Sequence, residues 1–388
     1  MDLIKEFYKK CCEHYPVIIG ATSYLYKENS NTYRQNILTR IIAGLSNIVC
    51  LFVLFYFGHE SLAMLEAGPH LHPLIKTVTH QCMIVRIVAV FYTILHRKWR
   101  EEKDVKLKVQ LRKLKRKYYQ KFYCNKEIDK RFKQIFYIKY SILLYVHFIS
   151  FGIASRLELF TLKWWRWILV ICNATIMNMT VIVMFDFFVM LWNICHLLQH
   201  LNYHLGTIYQ KLEKPQADHK LLNHEIQTIS ETHAELGGIL KELLKLFQFQ
   251  ILTNRLYSTI SFIIVAYFGY VFIFYYEIDK MYLIVGGISY LISSIDFYTT
   301  DLMCDMINES FKQLIMMLQM FNERKTAMDG ECERFVILLT SKKEIFCSGM
   351  DRSAWFGVMS QLVSSALVLI QSHLYIIQFF KKNHLEIN

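Results

Sequence analysis

Apolar positions along this chain gather into long blocks that carry almost no charge. Seven can be marked: 37–57, 74–95, 136–155, 164–192, 256–276, 281–300 and 355–380. About 20 mostly apolar residues are needed for a helix to cross a bilayer. None of the blocks alternates with the strict period of two that a barrel strand requires. The pattern predicts an all-α, polytopic membrane protein with seven transmembrane helices.

The segments between the blocks differ in length and in pattern. After the fourth block, Leu197, Leu201, Leu205, Ile208 and Leu212 recur at helical spacing, and "KPQAD" makes a turn at Pro215. Leu222, Ile226, Ile229, His233, Leu236, Leu240, Leu243 and Phe247 then step 4-3-4-3-4-3-4. Such a run is a sustained a/d seam. Leu302, Met306, Leu314, Leu318 and Phe321 extend the sixth block in the same way, and 331–345 reads as one more short helix. These helices form a cytosolic bundle, and the length of the seam predicts that it joins subunits as well as packing within one.

Charge sets the orientation. With the N-terminus inside, the inner segments hold 34 Lys and Arg and the outer ones 6. That bias places the N-terminus in the cytoplasm and the C-terminus outside. The chain then divides into a cytosolic N-terminal segment (1–36), helices one to four (37–192) with a basic cytosolic loop (97–133), and a cytosolic helical hairpin or anchor bundle (193–255). Helices five and six (256–300), a cytosolic helical segment (301–352), a seventh helix (353–380) and an extracellular tail (381–388) follow. The opening "MDLIKEFYKKCCEHYP" has no apolar run of a signal peptide, so the first helix is expected to direct insertion. The run "RKLKRKYYQKFY" from Arg112 lies between two spans and is read as a topology signal facing anionic lipid, not nucleic acid. Cys11, Cys12, Cys124, Cys332 and Cys347 all fall on the inner side, as a reducing compartment requires.

No phosphate loop or activated nucleophile is legible, so no enzyme and no cofactor are expected. His196, His200 and His204 share a helix face, a spacing that can hold a metal. No carboxylate lies nearby in sequence, and the reading is a polar face with no metal. Arg86 and Asp186 fall inside spans, where charge is expensive. Their similar depth predicts an intramembrane ion pair. A ligand pocket needs aromatic walls and a few polar groups. His80, Tyr145, Phe148, Trp167, Asn173, Tyr267, Tyr270, Tyr290, Ser293 and Phe297, in the outer halves of spans two to six, are the candidates.

The last helix carries polar residues in an orderly way. Gly357, Gln361, Ser364, Val368, Gln371, Tyr375 and Gln378 step 4-3-4-3-4-3 along one stripe. Carboxamides in hydrocarbon must be satisfied, and a repeated stripe is best explained by a water-filled axis. Gln361, Ser364, Val368, Gln371, Tyr375 and Gln378 are therefore read as pore-lining.

The chain ends this helix with "QSHLYIIQFF". Gln378-Phe379 closing a seventh span resembles the insect gustatory receptor family, whose signature is Thr-Tyr, five apolar residues, Gln-Phe. Here Gln371-Ser372 stand in place of Thr-Tyr. The opening "YPVIIGATSYLY" is also similar to that family's. The resemblance implies a taste receptor in the plasma membrane of sensory neurons. It implies a homo- or hetero-tetrameric, ligand-gated cation channel with related receptor subunits, opened by a small-molecule tastant, with its gate at Gln378 and Phe379. Two alternatives compete. A G-protein-coupled receptor would need an outer N-terminus, and the chain has no Asp-Arg-Tyr-type or Asn-Pro-x-x-Tyr motif. A secondary transporter would be expected to show an internal repeat, and none is legible.

Overall fold

The computed structural model describes residues 14–27, 32–67, 73–156, 164–212, 219–275, 280–323 and 352–385. A hairpin of β1 (Leu25–Lys27) and β2 (Thr32–Arg34) is followed by eight helices among the described residues. These are α1 (Ile37–Ala67), α2 (Pro73–Leu95), α3 (Arg97–Tyr119), α4 (Lys126–Arg156), α5 (Trp164–Leu212), α6 (His219–Tyr275), α7 (Lys280–Glu323) and α8 (Arg352–Leu385). The fold is all-α apart from that hairpin. Prolines are placed so that helices can be long: Pro73 opens α2, where its missing N–H costs nothing, and Pro215 falls between α5 and α6.

α5 and α6 run for 49 and 57 residues. At about 1.5 Å per residue each exceeds twice the roughly 30 Å of a bilayer's hydrocarbon. Three described stretches are long and apolar enough to cross a membrane: Ile37–Tyr56, Asn178–Lys211 and Trp355–Ser372. The middle one spans 34 residues and is mostly buried inside the chain. It is thus a spanning segment continued as a core helix.

That core is the expected seam. Leu197, Leu201, Leu205 and Ile208 of α5 are buried with all eight seam residues of α6, and Met303, Ile307 and Leu314 of α7 join them. The seam is therefore filled within one chain. Its length reflects three helices sharing a core, so it no longer requires the subunit contact expected from the pattern. The segment 331–345 lies outside the described residues.

The region expected as a basic loop is instead largely helical. A single residue, His96, separates α2 from α3, and its ring stacks on Tyr92 at 4.1 Å. In α3, Leu107, Leu111, Leu114 and Tyr118 form a buried stripe, while Lys98, Lys106, Lys113, Arg116 and Lys117 are exposed. The basic composition hid an amphipathic helix. Two of its charges are buried with partners from the N-terminal segment. Arg100 Nη2 donates to the Ala21 carbonyl at 3.0 Å, and Glu101 accepts from the Ser23 backbone N–H at 3.0 Å and its hydroxyl at 2.7 Å. The hairpin docks on the same helix: Arg112 lies 4.0 Å from the Tyr26 ring centre and 4.7 Å from that of Tyr33.

Gly20 makes this docking possible. Its φ is +77°, and a Cβ there would run into the Asn47 side-chain amide and stand 3.1 Å from the Ala43 carbonyl oxygen. A left-handed backbone costs other residues about 1–2 kcal/mol, and here a clash with α1 adds to it. Gly20→Val is expected to lower the melting temperature of the purified receptor by loosening the N-terminal segment. An unchanged melt would show that the segment contributes no stability.

α7 is tied to three neighbours by acids on its length. Lys139 of α4 bonds the Asp296 carboxylate at 2.7 Å and its carbonyl at 2.8 Å. Arg255 of α6 pairs with buried Asp301, and Arg352 at the start of α8 with Asp305. Asp296, Asp301 and Asp305 are thus helix ties.

Candidate functional site

α8 packs on α6 and α7 along one side only. Leu362 and Ala366 are buried on that side, and Met359 meets the Ser294 hydroxyl of α7 at 3.8 Å. Gly357, Gln361, Ser364, Val368, Gln371 and Tyr375 are all exposed, with Val368 62% and Tyr375 69% accessible. The stripe read from the 4-3 spacing is therefore a single outward face. Phe356, Val363, Leu367 and Leu374 are exposed beside it, so the free surface of α8 is wider than the polar stripe. Gln378 and Phe379 lie in the helical part of α8, with side chains outside the described set.

The ligand candidates sort into helix junctions. Tyr267 of α6 packs against Leu369 and Ile370 of α8, on the face away from the stripe, and against Tyr270. The hydroxyls of Tyr145 (α4) and Ser289 (α7) lie 3.1 Å apart. Tyr290 of α7 stands edge-on to Phe262 of α6, with centroids 5.0 Å apart. Phe297 lies under the Arg255 guanidinium at 5.0 Å, while Ser293 of α7 and His80 of α2 are half-buried. The side chains of Phe148, Trp167 and Asn173 are outside the described set.

The expected ion pair does not form. Arg86 Nη1 donates to the Tyr257 hydroxyl at 2.5 Å, and its guanidinium lies 4.8 Å from that ring's centre. It borders a mostly apolar cavity of about 60 Å³, whose lining also includes Gln250, Thr253 and Asn254. Asp186 turns to Lys108 of α3, whose ammonium sits 2.5 and 2.6 Å from its two carboxylate oxygens. Matching depth did not settle which side of each helix the two groups occupy.

Lys108 also binds Asp104 Oδ2 at 2.5 Å. One ammonium thus serves two carboxylates at the wall of a cavity of about 370 Å³, which Tyr15, Tyr24, Tyr33, Tyr140 and His147 also line. Sequence reasoning missed this chamber because its walls come from the N-terminal segment, α3, α4 and α5. Burial, and then the negative charge of Asp186, push the Asp104 carboxyl up to about 7 against the pull of Lys108. The folded chain holds a proton there that the unfolded chain, with a carboxyl pKa of about 3.9, releases. Stability from this group is greatest below that unfolded value and is lost as pH rises through about 7. As pH falls from 8 to 6 the melting temperature of the parent is expected to gain on that of Asp104→Asn, because only the parent takes up this proton. Parallel pH profiles for the two proteins would overturn it.

One further constellation corrects the histidine reading. His196 and His200 of α5 both meet Asp129 of α4, at 2.7 and 3.1 Å. The carboxylate absent nearby in sequence is supplied from 67 residues away. His204 turns instead to the Tyr123 carbonyl at 2.8 Å.

The family model for the 7tm chemosensory receptor matches residues 14–376. The chain belongs to the 7tm chemosensory receptor family. It is a receptor family of multi-pass membrane proteins, not of enzymes. Among solved structures the chain is similar to the insect olfactory receptor OR5 from Machilis hrabei in complex with eugenol. Identity there is 11%, the TM-score is 0.64, and 96% of this chain and 99% of that chain are covered. A second structure of that receptor matches with a TM-score of 0.62 at 11% identity, over 94% and 99% of the two chains. At this identity the likeness shows the chemosensory receptor fold. No curated protein matches the chain.

Proposed function

We propose that this chemosensory receptor is a taste receptor acting as a ligand-gated, non-selective cation channel in the plasma membrane of sensory neurons. Four related subunits, identical or mixed, surround one pore, and small-molecule tastants open it. The observation that carries this reading is the exposed stripe of α8. A helix with one buried side and a polar, regularly spaced outer side needs water or a partner along that side. A symmetric tetramer meets this need by turning four stripes to a common axis. The N-terminus is cytoplasmic in this reading, so α8 runs outward and Gln378 and Phe379 come to the outer mouth.

Tyr267 supplies a mechanical route. It touches the pore helix opposite its stripe, with Tyr270 packed beside it, so a ligand moving α6 would move α8. No charge lies on the stripe, so selectivity among cations is weak. The test is to express the chain alone and with related subunits, and to record currents while applying sugars, bitter compounds and volatile aromatics such as eugenol. Alanine at Tyr290, Ser293 or Phe297 should shift the half-maximal concentration and leave the maximal current largely intact. A receptor present at the surface that passes no current in any combination would overturn the channel reading. Unchanged dose dependence in all three variants would place the ligand elsewhere.

A further inference from the structure

Asp129 Oδ1, His196 Nε2 and His200 Nε2 form a triangle with sides of 2.7, 3.1 and 3.3 Å. Among the described residues this is the only group of three His, Cys, Asp or Glu residues close enough to share an ion. Zinc holds nitrogen and oxygen ligands at about 2.0–2.1 Å in a tetrahedron, which separates the ligand atoms by about 3.3 Å. The observed triangle is that arrangement slightly contracted. Entry of the ion requires the ligands to part by a few tenths of an ångström, roughly the gap between the two sets of distances.

The surroundings orient these ligands. Two histidines four residues apart on α5 point to one side of the helix. The Tyr119 hydroxyl lies 3.4 Å from His196 Nδ1, where it can accept that nitrogen's proton and leave Nε2 free to ligate. Trp192 stacks on His196 at 5.6 Å, and Tyr119 stands edge-on to His200 at 5.8 Å. Both imidazoles are buried, whereas the Asp129 side chain is about one-third exposed, 32% by area. Water therefore reaches the site from the Asp129 side. The competing cation is Lys115, which carries its charge into the same neighbourhood but bonds Asn193 Oδ1 at 3.2 Å.

We propose that Asp129, His196 and His200 bind a zinc ion with a fourth position open to water. The ion would clamp the start of α4 to α5 where α5 joins the helical bundle. Without an ion, each imidazole can donate its Nε2–H to Asp129, so hydrogen bonding alone accounts for the three distances. The experiment must therefore detect the ion itself.

The full chain, purified in detergent and stripped with a chelator, is titrated with zinc by calorimetry and with cobalt by visible absorption. The expected result is one zinc per chain and the d–d bands of a tetrahedral cobalt centre without thiolate charge transfer. Loss of an outer-shell partner alone weakens metal sites by about 10–100-fold, so Asp129→Asn should weaken binding by at least that much. That variant keeps the shape of a part-exposed side chain, and a monodisperse elution profile establishes that it folds. His204→Ala should bind zinc like the parent. The proposal is overturned if the folded parent shows no saturable binding, if Asp129→Asn binds equally well, or if thiolate charge transfer places the cobalt on cysteine.

Discussion

Replacing Asp301 with alanine is expected to destabilise the receptor by about 3–5 kcal/mol, the usual cost of stranding one member of a buried ion pair. Asp301 is 1% exposed, and its partner Arg255 comes from the neighbouring helix α6. Arg255 also covers the Phe297 ring, so its guanidinium is held in place and cannot turn to bulk water without giving up that contact. Loss of the carboxylate leaves the largely covered Arg255 guanidinium without its buried acid at the α6–α7 junction. The expected readout is a collapse of the monodisperse peak on heating and a marked loss of surface expression. Exchanging both partners, Arg255→Met with Asp301→Leu, should recover much of the loss, because no charge is then left buried. Asp305→Ala is the contrasting case. Its partner Arg352 is half exposed, and solvent screens that pair, so little measurable change is expected. A normal melt for Asp301→Ala would show that the pair contributes nothing to stability.

Features repeated along one helix were legible in the sequence, and features assembled between helices were not. The 4-3 seam of α6 was readable because each step is local, and every seam residue is buried where the period puts it. The same holds for the stripe on α8. α3 was misjudged because its many lysines and arginines mask Leu107, Leu111, Leu114 and Tyr118, although those four carry a helical period of their own. The Arg86–Asp186 pairing failed for a geometric reason. Counting residues from a helix end fixes depth to within a turn but leaves rotation about the axis open, and α3 offered Lys108 at close range. The tie between Lys139 and Asp296 was missed because its two members lie 157 residues apart in different helices. Asp129 escaped for the same reason. No spacing rule applied to "NICHLLQHLNYH" reaches α4, so the carboxylate between His196 and His200 became visible only once α4 and α5 were packed together.

Opening the pore without ligand is the expected result of Phe379→Ala. The proposed gate is a ring of apolar side chains that excludes water from a narrow mouth, and such a barrier needs no charge. Removing the ring widens the constriction and lets water, then cations, pass. The expected signature is a standing current in ligand-free cells that a pore blocker removes. Its size should be a large fraction of the ligand-evoked maximum, since the barrier itself is deleted. The same helix supplies an independent check that depends on faces already in view. Cysteines placed at Gln361, Ser364, Val368, Gln371 and Tyr375 should react with charged thiol reagents during ligand-evoked current, because these positions form the free stripe. Cysteines at Leu362 and Ala366 should stay protected, because both positions are buried against neighbouring helices. Phe356, Val363 and Leu367 decide how wide the wetted face is. They are exposed in the single chain, and in a tetramer they would be covered by lipid or by the adjacent subunit, so charged reagents should not reach them. Modification confined to the 4-3 stripe would leave a shared aqueous axis as the simplest account of its glutamines. Equal modification of Gln371 and Leu367, or protection of both, would mean that the stripe faces something other than the pore.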